Sequence, residues 1–267
     1  MTRPAELGAA LALGWSLLLT LGLVTSGILI GALFGVGNLA IVVAGPAELL
    51  LMLPAALLLG RLYGDPPRRK ALALAPASAL ELLIGASLGV ILHFPTGYMS
   101  ELIERRFPTP RAVLDAQLHA LTPSSALMGA LMLLSVAAIV PFAEEVFFRG
   151  ALFTPLLRSG PSFVAVWTTS IAFAFAHQEP RNWAPLLLVA LVLAELRQLG
   201  GSIWSGVALH GAFNAATLLM VYVERPTEIK PQAGAWQLAL LGGALTVGGL
   251  WLFARAAGRR LGAMSTS

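Results

Sequence analysis

The chain has no cysteine and only four histidines among its 267 residues. The first absence removes disulfides, thiol nucleophiles and cysteine metal ligands, and it leaves the redox compartment unreadable. Charge is scarce as well. Asp, Glu, Lys and Arg together make up 11% of the residues, against about 25% in soluble domains. The sustained apolar–polar alternation of a membrane barrel is also missing. What the sequence has instead is long apolar runs, with hydrophobic residues at 57%. The expected fold is all-α, a polytopic transmembrane helical bundle of about eight spans. A net charge of +4 would suit nucleic acid, but the bases lie in short loops between apolar runs, as positive-inside topology requires. The expected partner is the lipid bilayer, with no nucleic acid.

Each span needs roughly 17–25 apolar residues, which places them near 9–34, 38–59, 71–93, 125–158, 162–177, 183–199, 203–223 and 235–257. The first run exceeds the ~7–15-residue core of a signal peptide and reads as an uncleaved span. The longest loop, 94–124, has room for short surface helices at Met99–Arg106 and Ala112–Leu121. With both termini inside, ten bases fall on the inner side and six on the outer, Arg149 set aside, which favours N-in and C-in. The chain divides into N-terminal helices with their connecting loop (1–124), a segment rich in intramembrane polar residues (125–223), and a last helix with its tail (224–267). All three are expected to form one structural domain.

Ionisable groups at membrane depth are functional candidates by default, and Pro141-Phe-Ala-Glu144-Glu145-Val-Phe-Phe-Arg149-Gly150 concentrates three of them. On a helix, Glu145 and Arg149 stand at i and i+4 with the acid first, the favourable order for an ion pair. Glu144 points about 100° away and is the free carboxylate. Two of the histidines lie within later apolar runs, Phe173-Ala-Phe-Ala-His177 and His210-Gly-Ala-Phe-Asn214, each pairing its end residues on one helix face. Gly160-Pro161 lies midway between Glu144 and His177, so a hairpin turning there holds both at about 25 Å from the turn. His210 fits less well: a turn at Gly200-Gly201-Ser202 leaves it only about 12 Å along its helix. Glu48, Glu81 and Glu195 read as packing or lumen-facing carboxylates, Phe147, Phe148, Phe173 and Phe175 as core or lipid-facing side chains, and His93 and His119 as span-end or loop residues.

Two mechanisms suit this set. In one, Glu144 takes a proton from water for attack on a carbonyl, His177 orients the water, and His210 with Asn214 stabilises the oxyanion. In the other, Glu144, His177 and His210 hold a zinc ion whose bound water is the nucleophile. The residues alone leave both open. A purely structural polar cluster and a small proton-relaying transporter are the competing readings; the latter lacks visible inverted repeats.

Glu144-Glu145-x-x-x-Arg149, Phe173-x-x-x-His177 and His210-x-x-x-Asn214, in this order on successive spans, resemble the CAAX-protease and bacteriocin-processing family of intramembrane endopeptidases. That family includes the type II CAAX prenyl protease. The resemblance covers about residues 125–223 and makes that segment the expected catalytic core. It implies that Glu144 is the water-activating base, that His177 sits beside the water, and that His210 and Asn214 form the oxyanion side. Glu145 and Arg149 would hold the shape of the site, with Phe173 as packing support. The family has been described both as metalloproteases and as glutamate proteases. The metal-free version is favoured, with no cofactor expected and zinc as the alternative. The substrate implied is a membrane-anchored peptide or protein tail. A non-catalytic immunity or assembly factor of the same fold is the alternative function. The richness in Ala, Leu, Gly and Arg suggests a prokaryotic cell (inner) membrane.

Overall fold

A computed structural model describes residues 5–64, 67–224 and 235–265. Every regular element among them is helical. Among the described residues seven helices are long and apolar enough to cross a membrane: α1 (Ala9–Phe34), α2 (Asn38–Leu62), α3 (Ala79–Arg106), and, after the short α4 (Arg111–Leu121), α5 (Ala126–Ser159), α7 (Pro180–Gly200), α8 (Trp204–Glu224) and α9 (Ala235–Ser265). The remaining expected span is α6 (Ser162–Ala176), with only 15 residues. At 1.5 Å per residue it reaches about 22 Å, short of a hydrocarbon core of about 30 Å. The chain is thus an integral membrane protein built as an all-α bundle. Of the bases used to orient it, Arg3, Arg225 and Lys230 lie outside the described residues.

Two boundaries differ from the sequence reading. The third span starts at Ala79, not at residue 71. Pro76 interrupts the apolar run, and Ser78 with Glu81 forms a capping box that sets the helix start. Residues 72–78 instead cross the base of the bundle as an irregular segment, with Ala73 at a φ of 54°. Met99–Arg106, expected as a separate surface helix, is the end of α3. The second expected surface helix is present as α4, tied to the start of α2 by Asn38, whose amide donates to the Ala120 and Thr122 carbonyls at 2.7 and 2.9 Å.

The long helix α5 changes pitch twice, with π-helical stretches at Ser135–Ile139 and Val146–Leu152. Such bulges free backbone carbonyls, and other helices take them up. The Val140 N–H is drawn to the Ser135 carbonyl, and Pro141 has no N–H to offer. Val136 O is left without a helical donor, and the Asn214 side-chain amide donates to it at 2.9 Å. In the second bulge Arg149 O accepts from Arg197 Nε at 3.0 Å.

α8 is held against the first half of α3 by a Gly85-x-x-x-Gly89 pair, a spacing that lets membrane helices approach backbone to backbone. A Cβ on Gly89 would collide with the Leu209 carbonyl oxygen, next to His210. Gly89→Val is therefore expected to push α8 outward. It should lower the thermal midpoint of the purified protein by several degrees and depress whatever activity depends on His210. An unchanged midpoint in a detergent melt would show that the contact does not hold α8 in place.

Candidate active site

The turn between α7 and α8 resolves the mismatch in depth expected for His210. Arg197, near the end of α7, donates to Arg149 O and to Thr154 Oγ1, both at 3.0 Å. The turn therefore lies beside the second π stretch, roughly ten residues or about 15 Å above the Ser159 end of α5. Residues 72–78 fill the recess: Ile203 N donates to Ala73 O at 3.1 Å and Ser202 Oγ to Ala75 O at 2.6 Å. Raised in this way, the start of α8 carries His210 to the level of Glu144.

Glu144 is buried, with 6% of its surface exposed. Its two oxygens face different histidines. His177 Nε2 lies 4.0 Å from Oε1, and His210 Nε2 lies 3.5 Å from Oε2. His177 caps the end of α6, and its Nδ1 is 2.9 Å from Phe173 O. A carbonyl only accepts, so Nδ1 carries the hydrogen and Nε2 presents a lone pair toward Glu144. With 30% of its side chain exposed, His177 is the most open member of the group. His210 bridges the paired glutamates, its Nδ1 lying 3.5 Å from Glu145 Oε1.

Glu145, Arg149 and Phe173 pack around the same group. Glu145 and Arg149 form a 3.0 Å ion pair with both side chains fully buried, and Arg149 Nη2 donates to Ala190 O at 3.1 Å. Phe173 packs against His177 and His210, with ring centroids 4.8 and 5.6 Å apart, and the Arg149 guanidinium lies 4.4 Å from its own centroid. Gly206 gives the Glu145 carboxylate its space, since a Cβ there would stand 2.7 Å from Oε2.

Asn214 is brought to the same helix as His210, but its amide is anchored on Val136 O. His93 is set apart: it stacks on Phe213 at 4.2 Å and meets the Phe213 carbonyl at 2.9 Å, bracing α8. Glu81 is a packing carboxylate, as expected, bonded to Ser78 and 2.9 Å from Arg260 Nε. Glu48 is more than that. From α2 its carboxyl reaches that of Glu144. No local pattern in α2 signals this; only the packing of α2 against the middle of α5 brings the two together.

Glu144, His177 and His210 are the donors a zinc ion would use, and as they stand they do not fit one. Among the described residues no group of three or more His, Cys, Asp or Glu side chains converges as a metal site would require.

Glu144 is thus a buried carboxylate flanked by two histidines within a membrane helix bundle. Residues 126–216 match the family model described as type II CAAX prenyl endopeptidase Rce1-like, in agreement with the resemblance read from the three motifs. The match covers about a third of the chain, and the family it describes is one of endopeptidases. Neither the curated proteins nor the solved structures give a match to the chain.

Proposed function

We propose that this protein is an intramembrane endopeptidase that hydrolyses a peptide bond in a membrane-anchored peptide or protein tail, with Glu144 as the base. The observation that carries this reading is the approach of His177 and His210 to the two oxygens of one buried carboxylate. A single water donating to Glu144 Oε1 and to His177 Nε2 would hold these acceptors roughly 4–4.5 Å apart at ordinary hydrogen-bond lengths, and they stand 4.0 Å apart. In the attack the water oxygen bonds to the carbonyl carbon, and its proton passes to Glu144. The carbonyl electron pair moves onto oxygen, where His210 and the second N–H of Asn214 donate to it. The C–N bond then breaks, and the amine leaves with the proton returned from Glu144.

The scheme uses no metal. The excess of bases around residues 61–70 and after Arg255 supports both termini on the cytoplasmic side of a prokaryotic membrane. The test is cleavage by purified protein of a panel of membrane-embedded reporters with prenylated and unprenylated tails, run with Glu144→Ala and with a strong chelator. Cleavage that needs Glu144 and survives the chelator is the expected result. Loss with chelator, restored by zinc, would replace the glutamate mechanism with the metal one. Undiminished cleavage by the Glu144→Ala protein would sink the peptidase reading.

A further inference from the structure

The contact between Glu48 and Glu144 asks for more than packing. Two carboxylates in contact within a membrane bundle, each with one fully buried oxygen, resist ionising together, because nothing between them offsets the like charges. The nearby cation and imidazoles do not supply that offset: Arg149 is directed to Glu145 and Ala190 O, His177 Nδ1 to Phe173 O, and His210 Nε2 stands 3.5 Å from Glu144 Oε2, too far for a strong hydrogen bond. Glu48 Oε1 and Glu144 Oε2 are each buried without a donor. A proton held between the two carboxyls is the donor this pair lacks.

We propose that Glu48 is a third carboxyl of the site, a positioning residue that shares one proton with Glu144 and aims its free oxygen at the attacking water. This rests on the peptidase reading given above. The bookkeeping of protons closes. Before attack the pair holds one proton. As the water oxygen bonds to the carbonyl carbon, the water proton brings the pair to two. When the C–N bond breaks, the departing amine takes one, and the pair returns to its starting state. Glu48 thus spares the site from cycling a bare, unpartnered carboxylate at membrane depth. It also explains why an acid occupies α2 two residues after Pro46, on the face that packs against α5.

The experiment compares wild type with Glu48→Gln, which keeps the volume and an N–H for Glu144 but cannot exchange a proton, and with Glu144→Ala as control. Cleavage of a reporter accepted by the wild type, the thermal midpoint, and the infrared band of protonated carboxyl groups are read for each purified protein. The expected result for Glu48→Gln is an unchanged midpoint, a KM within about twofold of wild type, a kcat lowered on the order of 10²-fold, and loss of one protonated-carboxyl band. Wild-type kcat in Glu48→Gln, or the same carboxyl band as wild type, overturns the proposal, leaving Glu48 a hydrogen-bonding or packing residue only. The infrared arm decides the matter even where no reporter is cleaved. If Glu144→Ala still cleaves, the peptidase reading itself falls. If Glu144→Ala is dead while Glu48→Gln is normal, only the sharing of the proton falls.

Discussion

Glu144→Gln is expected to abolish cleavage, by roughly 10³–10⁴-fold in kcat, while leaving the protein folded. Four decades correspond to about 5.4 kcal/mol of lost transition-state stabilisation, which is within reach when the only base is removed from a general-base reaction. The fold should survive because Glu144 makes few strong bonds of its own. Its histidine neighbours stand at 3.5 and 4.0 Å, too far for strong direct hydrogen bonds. Apart from the Glu48 carboxyl, nothing among the described residues donates to its Oε2. A glutamine of the same shape removes an ionisable group from a dry site and can still donate to Glu48. The thermal midpoint should stay level or rise. A kcat within about tenfold of wild type in a reporter assay would remove Glu144 from the role of base.

Arg149→Ala is expected to act the other way, through stability. The arginine is fully buried. Its loss would leave the Glu145 carboxylate without its cation, strip the Ala190 carbonyl of a donor, and open space against Phe173. Breaking a buried pair at one end costs about 3–5 kcal/mol, because the partner charge stays behind. Removing both ends with apolar groups of similar size is far gentler. Glu145→Leu combined with Arg149→Met should therefore melt higher than Arg149→Ala alone, and a double-mutant cycle would give the coupling. An Arg149→Ala protein that melts like wild type but no longer turns over would move Arg149 from scaffold to chemistry.

The features that came through in the sequence are those carried by local spacing. Glu145 and Arg149 at i and i+4 became the buried ion pair. The equal distances of Glu144 and His177 from Gly160-Pro161 did bring the two side chains together. What stayed hidden depends on contacts between distant segments. The π stretches have no periodic signature of their own, yet they decide where Asn214 and Arg197 direct their donors. The depth of His210 could not be read from its own helix, because the raised turn is set by residues 72–78 and by Arg197. Glu48 looked like any packing glutamate, since its partner is nearly a hundred residues away. The Gly85-x-x-x-Gly89 spacing is a different case: it stands openly in the sequence, and its meaning came only with the neighbour it admits.

The raised turn also bears on how much of the chain an active protein needs. The family match spans residues 126–216, but the floor beneath that stretch is supplied from outside it. Ala73 and Ala75 accept from Ile203 and Ser202, Arg260 of α9 donates to the Gly200 carbonyl, and Glu48 of α2 reaches Glu144. Excised, the matched helices would have bare backbone where their neighbours now pair with it, in a solvent that offers no substitute. The matched segment is therefore not a portable module. Grafting it onto another membrane scaffold would require bringing the crossing segment and the two outer helices with it.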